Sequence, residues 1–381
     1  MKKIFKYFIW FIGVVILVIL LSILGFWAKV EFGVKISEHQ SFENTELYAW
    51  NKVRMNDNCK CSDQSDFWIY SKKGNSDNLI VHFSGGGACW DDKSCTNPIG
   101  YTSINGFYFP NIFEWTFKGF VKGAMENQDD RNPFKDWNIV FIPYCSGDLH
   151  IGNQSNEYID PEGNTLEVVH NGKTNVLSAI NWIKENFHQP QKVLISGESA
   201  GGFGSIFWTP EIVEMYPASK FYQLSDCSFI DSEVLLDAVE LWNAETEKTF
   251  GYKIDTDILN SALYNSRQQL IETEITFLQS FTLYDEVLLR FEAAINNKNT
   301  ENNSYIFDWS NQMLKAVHEN ADSLNNYYFF ITDWKINKEG KTPHTLIAND
   351  GFFECSEEGI KFKDWLADVV IKEQPFSVGI K

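Results

Sequence analysis

Hydrophobic and polar positions follow two alternating rhythms through most of the chain. Short runs rich in β-branched and aromatic residues predict strands at Phe67–Tyr70, Leu79–Phe83, Ile139–Pro143, Val193–Ser196, Phe221–Leu224, Ile275–Thr282 and Tyr327–Thr332. Between them, amphipathic stretches predict helices at Asn175–Phe187, Gly201–Met215, Ser232–Ala244, Glu286–Asn296 and Ser310–Asn320. Strands alternating with helices predict an α/β fold: a mostly parallel central sheet with helices on both faces. No internal repeat, low-complexity tract or proline-rich linker divides the pattern, so residues 47–381 read as one elaborated domain. Residues Thr96–Trp137 follow neither rhythm. An insertion of that length in a compact domain usually serves function.

The beginning of the chain is different. Lys2, Lys3 and Lys6 precede an uncharged run of 22 residues, Tyr7–Ala28. As a helix it would extend ~33 Å, enough for a hydrocarbon core of ~30 Å. A secretory signal usually has an apolar region of only ~7–15 residues and a small-x-small cleavage site. Phe26 stands at the −3 position before Ala28, so no such site is evident. The expectation is an uncleaved transmembrane anchor over residues 1–28, a tether over 29–46, and a domain outside the cytoplasm. Signal cleavage and secretion are the alternative.

Composition narrows the partners. The chain has 381 residues, with 32 basic against 51 acidic side chains, a net −19. That balance excludes a nonspecific nucleic-acid binder, which needs a basic surface against phosphates. Hydrophobic residues at 44% and aromatics at 15% exclude a disordered chain. Setting aside the three anchor lysines leaves 29 basic and 51 acidic residues, a net −22. A domain so charged repels polyanions, so a neutral or heavily esterified glycan suits it better than an acidic one. Seven cysteines agree with an oxidising compartment, and their odd number leaves at least one unpaired within the chain. Cys59-x-Cys61 has a metal-like spacing but no second close Cys or His pair, so no metal and no cofactor is expected.

The strongest chemical signal is Val193-Leu-Ile-Ser-Gly-Glu-Ser-Ala-Gly-Gly-Phe-Gly204. Gly197-Glu-Ser-Ala-Gly201 within it fits G-x-S-x-G, where a nucleophilic serine sits on a strained turn from strand to helix. Its flanking residues must be small for strand and helix to approach. The turn presents Ser199 at the carboxyl end of a strand and aims the Ala200 N–H at a developing oxyanion. A second glycine cluster, Gly85-Gly86-Gly87, follows the strand Leu79–Phe83. Esterases place such a loop after an early strand to complete the oxyanion hole. Neither phosphate-binding glycine pattern occurs here.

A base and an acid complete the chemistry, in the order serine, acid, histidine. Only His318 and His344 follow Ser199. His318 lies in a polar helical stretch. His344 lies in a loop after the strand ending at Thr332, where a base belongs. Asp285, which follows the strand Ile275–Thr282 and opens the next helix, is the expected acid. Asp333 is the alternative.

Taken together, these motifs resemble the pectin acetylesterase and Notum family of carboxylesterases. The resemblance rests on Phe83-Ser-Gly-Gly-Gly-Ala-Cys-Trp90 with Cys95, Phe141-Ile-Pro-Tyr-Cys-Ser-Gly-Asp148, Gly197-Glu-Ser-Ala-Gly-Gly202, Tyr284-Asp-Glu286 and His344-Thr-Leu346, in family order over roughly residues 55–350. It implies a modified α/β-hydrolase fold and an ester-cleaving triad of Ser199, Asp285 and His344. The implied oxyanion donors are the N–H groups of Gly86, Gly87 and Ala200, and the implied disulfides are Cys89–Cys95 and Cys61–Cys145. Two positions depart from the family. Animal Notum has an aromatic residue where this chain has Gly87. Asp226-Cys-Ser-Phe stands where the family commonly has Asp-Ser-Gly. The function to expect is removal of O-acyl groups, acetyl first, from an extracytoplasmic glycan. Lipid deacylation and non-catalytic binding on a hydrolase scaffold are the alternatives.

Overall fold

Alternating apolar runs close into a single nine-stranded sheet in the computed structural model, which describes residues 7, 10–22, 25, 34–100, 105–126, 128–299 and 304–380. In chain order the strands are β1 (Ile36–Glu38), β2 (Trp50–Arg54), β3 (Trp68–Lys72), β4 (Leu79–Phe83), β5 (Asn138–Ile142), β6 (Gln154–Ile159), β7 (Thr165–His170), β8 (Lys192–Glu198), β9 (Lys220–Asp226), β10 (Ile275–Thr282) and β11 (Tyr327–Thr332). The sheet order is β1-β2-β3-β5-β4-β8-β9-β10-β11, while β6 and β7 form a separate antiparallel ribbon. From β5 to β11 every neighbouring pair is parallel. β3 joins β5 antiparallel and extends the sheet outward.

The principal helices are α1 (Gly172–Asn186), α2 (Ala200–Phe207), α3 (Thr209–Glu214), α4 (Glu233–Leu241), α5 (Ile258–Gln269), α6 (Glu286–Ile295), α7 (Ser304–Ser323) and α8 (Phe362–Val370). Burial on both faces explains why the central strands read as continuous apolar runs. Val193 and Ile195 of β8 face one core with α1, α2 and α4 through α7, and Leu194 faces a second core with α8 and Phe117. All three side chains are fully buried, each worth roughly 1.5–3 kcal/mol relative to exposure.

Three expectations change. The stretch Gly201–Met215 is two helices, with Trp208 at the junction, because Pro210 in the first turn of α3 has no N–H to continue the ladder. The tether is partly folded: β1 pairs with β2, and Phe42 packs on Trp182 and Phe187. The expected membrane-spanning helix is not found, since no helix among the described residues is long and apolar enough to cross a membrane. Residues 10–22 are helical and exposed. Residues 1–6, 8–9, 23–24 and 26–33, which hold the rest of the expected anchor, lie outside the described residues.

The sheet order positions the site. From β4 the chain moves one way to β5, and from β8 it moves the other way to β9. β4 and β8 are neighbours, so the loops leaving their carboxyl ends diverge and open a crevice at this switch point. The glycine loop leaves β4 there and the serine turn leaves β8.

Candidate active site

Ser199 occupies the turn between β8 and α2 with φ 54° and ψ −127°, a conformation that costs energy for a residue with a side chain. The turn is held from both sides. The Ser199 N–H donates to the Asp226 carbonyl at 2.8 Å, and the Ser228 hydroxyl donates to the Ser199 carbonyl at 2.7 Å. Glycine is required at its flanks. A Cβ on Gly197 would lie 2.0 Å from the Gly201 carbonyl oxygen, and one on Gly201 would lie 2.0 Å from that of Phe83.

The strand before Ser199 also ties the glycine loop in place. Glu198 Oε1 accepts the Gly85 N–H at 2.9 Å. Its Oε2 lies 2.6 Å from His82 Nε2, out of line for a hydrogen bond, while His82 Nδ1 is 2.9 Å from the Ser196 hydroxyl. Behind the loop, the buried His150 has Nε2 at 3.0 Å from the Ser84 carbonyl, which identifies that nitrogen as the donor. Burial lowers the His150 pKa to about 4, so the ring is neutral. Among the described residues, the N–H groups of Gly86, Gly87 and Ala200 donate to no protein acceptor.

His344 Nδ1 lies 2.7 Å from Asp285 Oδ2. The other Asp285 oxygen accepts the N–H groups of Val287 and Leu288 at 3.0 and 2.9 Å and caps α6. Asp285 is fully buried, and His344 Nε2 is shielded and has no hydrogen-bond partner. Burial works to lower the pKa of this imidazole, but Asp285, with Asp226 and Glu198 adding, leaves it raised. The alternatives fall elsewhere. Asp333 is exposed beyond β11, and His318 lies on α7 with Nε2 3.3 Å from the Ile380 carbonyl.

Asp226, at the end of β9, links these parts and was not singled out as a site residue by sequence. It is in register with Glu198 on β8 and Ser280 on β10. Its Oδ1 accepts the Ser280 hydroxyl at 2.7 Å, and its Oδ2 accepts the N–H groups of Leu346 and Ile347 at 2.6 and 2.8 Å. Burial raises its pKa against those donors. An acid ending a strand beside the elbow strand was the available signal. The next residue, Cys227, is fully buried, and burial with the nearby Asp226 and Asp285 carboxylates pushes its thiol well above the ordinary range.

Ser199 separates two spaces. One is an apolar chamber of about 20 Å³ lined by Gly87, Ala200, Leu149, Trp90, Phe203 and Phe291 among others. The other is an open cavity of about 390 Å³ that reaches His344. Its walls include Ile99, Phe109, Phe120 and Lys122 from the long insertion, with Arg290 and Phe291 from α6. Gly87, Ser199 and Phe291 border both spaces. The arrangement brings together a serine on a strained turn, a histidine fixed by a buried carboxylate, and unspent backbone donors. These are the parts that acyl transfer requires.

The two disulfides implied by the motifs are present, Cys61–Cys145 and Cys89–Cys95, so the sulfur of Cys59-x-Cys61 is not free to ligate a metal as a pair. Cys59, Cys227 and Cys355 are buried free thiols.

The pectinacetylesterase family model matches residues 54–277, more than half of the chain. The chain belongs to the pectinacetylesterase family. The matched segment holds the glycine loop, Ser199 and Asp226, while Asp285 and His344 lie beyond it. Curated relatives of this family member include the palmitoleoyl-protein carboxylesterase NOTUM of Homo sapiens, 27% identical over 193 residues, or 47% of this chain and 36% of that protein. Palmitoleoyl-protein carboxylesterase notum2 of Xenopus laevis is 24% identical over 183 residues, or 47% and 35%. The match therefore spans about a third of the length of these relatives. The structure of the Wnt deacylase Notum from Drosophila overlays with a TM-score of 0.59 at 18% identity, covering 85% of this chain and 93% of that one. That likeness is one of fold.

Proposed function

We propose that this chain is a serine carboxylesterase that removes short O-acyl groups, acetyl above all, from an extracytoplasmic glycan. In this reading His344, held by Asp285, takes the Ser199 proton as the hydroxyl attacks the ester carbonyl. The N–H groups of Gly86, Gly87 and Ala200 receive the oxyanion. His344 then protonates the leaving sugar oxygen, and a water activated by the same imidazole releases the acid from the acyl-enzyme. Two disulfides support an oxidising, extracytoplasmic setting.

The observation that carries the choice of acyl group is the chamber beside Ser199. At about 20 Å³ and with an apolar lining, it suits a short acyl group better than a long one. A long fatty acyl chain would have to displace Phe203, Phe291 or Trp90. The alcohol side has the larger, open cavity. Net charge is a weaker guide there than the sequence suggests. Lys122 and Arg290 line that cavity against a single acid, Glu198, whose Oε1 accepts the Gly85 N–H. The local field is thus less acidic than the chain's −19.

A series of aryl esters from acetyl to octanoyl, run beside acetylated neutral and uronate-containing polysaccharides, tests the reading. Acetyl should lead in kcat/KM by at least about tenfold per few added methylenes, since a methylene without space costs roughly 1–3 kcal/mol. A preference for octanoyl, or no release of acetate from any polysaccharide, contradicts it.

A further inference from the structure

Cys227, Asp285 and His344 come from three separate elements: the end of β9, the cap of α6 and the loop after β11. One ligating atom from each, the thiol sulfur, a carboxylate oxygen and a ring nitrogen, lie within 4.8 Å of one another. Cys227 and Asp285 are fully buried, and His344 lines the cavity through which a small ion can enter. The backbone fixes the thiol there. Cys227 has φ 50°, and its N–H donates to the Ser280 carbonyl at 2.8 Å. The other sulfur-rich cluster among the described residues, Cys89, Cys95 and His170, offers no comparable set, because its two sulfurs are bonded to each other.

Thiolate, imidazole and carboxylate are the donors that borderline-soft divalent cations select, whereas magnesium and calcium prefer all-oxygen shells. Zinc bound at about 2.3 Å to sulfur and 2.0–2.1 Å to nitrogen or oxygen places its donors roughly 3–4 Å apart. The three ligating atoms, all within 4.8 Å of one another, lie close to that spacing. We propose that Cys227, Asp285 and His344 form an inhibitory site for a thiophilic divalent cation such as zinc or cadmium. Binding releases the proton of the Cys227 thiol, and the proton on the imidazole nitrogen that faces Asp285 moves to Nε2, so the metal-bound ring stays neutral and Nε2 can no longer act as a base. The cation then occupies the space of the Asp285–His344 hydrogen bond. Asp285 no longer orients the imidazole, and ester hydrolysis stops reversibly until a chelator removes the ion.

The loss of activity rests on the esterase reading, but the site itself can be measured without it. The full chain is titrated with cadmium chloride while the ultraviolet thiolate-to-cadmium charge-transfer band is recorded. In parallel, aryl acetate hydrolysis is titrated with zinc chloride and with magnesium chloride. The wild-type protein should show one equivalent of the band, inhibition by zinc relieved by EDTA, and no inhibition by magnesium. Cys227→Ser should hydrolyse the ester as well as wild type, lose the band and require at least about tenfold more zinc. Cys227→Ala serves if the serine variant does not fold. Cys59→Ser should keep the band. A band with no esterase activity in any sample sinks the catalytic reading and leaves the metal site standing. Absence of the band in wild type, or equal zinc sensitivity in wild type and both Cys227 variants, overturns the site.

Discussion

The carboxylate of Asp226 accepts the backbone N–H of Leu346 at 2.6 Å, so the end of β9 holds the loop that carries His344. The same oxygen accepts the Ile347 N–H at 2.8 Å. Truncation in Asp226→Ala orphans two N–H groups in a buried place, at a cost of about 1–3 kcal/mol each. Thermal unfolding should show a destabilisation of roughly 2–5 kcal/mol, with kcat falling more than KM rises. Asp226→Asn retains an oxygen for the loop and should recover most of the stability. An alanine variant with wild-type unfolding and kcat would remove Asp226 from this role.

Asp285 has two tasks on two oxygens, and they can be separated. Oδ1 caps α6 while Oδ2 faces His344. In Asp285→Asn the amide oxygen can keep the cap, but the amide NH₂ then meets the ring nitrogen and favours the wrong tautomer. We expect a small change in Tm, with kcat for an aryl acetate lower by about 10²–10⁴-fold, by analogy with triad acids elsewhere. Equal activity in both forms would show that the ion pair is only structural.

Phe291, with Gly87 and Ser199, borders both the small chamber and the open cavity. Its truncation in Phe291→Ala should join the two spaces. Hydrolysis of butyryl and hexanoyl esters should rise relative to acetyl by about tenfold or more, with a stability loss of roughly 3–5 kcal/mol as for other buried aromatics. An unchanged acyl-length profile in folded protein would place the acyl group elsewhere.

Two buried histidines set an acid limit on stability. Burial lowers the pKa of His150 and of His170 to about 4. His170 Nδ1 faces the Ser146 carbonyl at 2.9 Å and Nε2 faces the Tyr158 hydroxyl at 2.8 Å, an arrangement suited to the neutral ring. Between pH 6.5 and 4 the unfolded chain binds histidine protons that the folded chain does not, so this contribution to stability falls as pH falls through that window, while the buried Asp148 and Asp257, raised to about 6, work in the opposite direction. Each histidine contributes on the order of 3 kcal/mol by its acid end. Chemical denaturation of wild type and His170→Gln at pH 7 and pH 4.5 isolates the histidine. An equal loss of unfolding free energy between the two values in both proteins would contradict it.

The sequence exposed the fold where packing is two-sided. Leu79–Phe83, Ile275–Thr282 and Tyr327–Thr332 were legible to the residue, because strands buried on both faces are written as apolar runs. Less was legible at the margins. β2 (Trp50–Arg54) mixes Asn, Lys and Arg with its apolar residues, and the β6–β7 ribbon has mostly exposed positions. Ser199, Asp285 and His344 could be nominated from motif and chain order alone. Glu198 and His150 could not, and Asp226 offered only its place at the end of a strand. Asp226, Glu198 and His150 act through partners 120, 113 and 66 positions away, on Leu346, Gly85 and Ser84. Such pairings exist only once the strands are in register.

The central claim is that Ser199 is the nucleophile of an acyl-transfer site. Intact-mass and peptide mapping after treatment with a fluorophosphonate, on wild type and Ser199→Ala, tests it most directly. We expect a single adduct on Ser199 with loss of aryl acetate hydrolysis, and neither label nor activity in Ser199→Ala. An adduct on another residue, or full hydrolysis by the alanine variant, would contradict it.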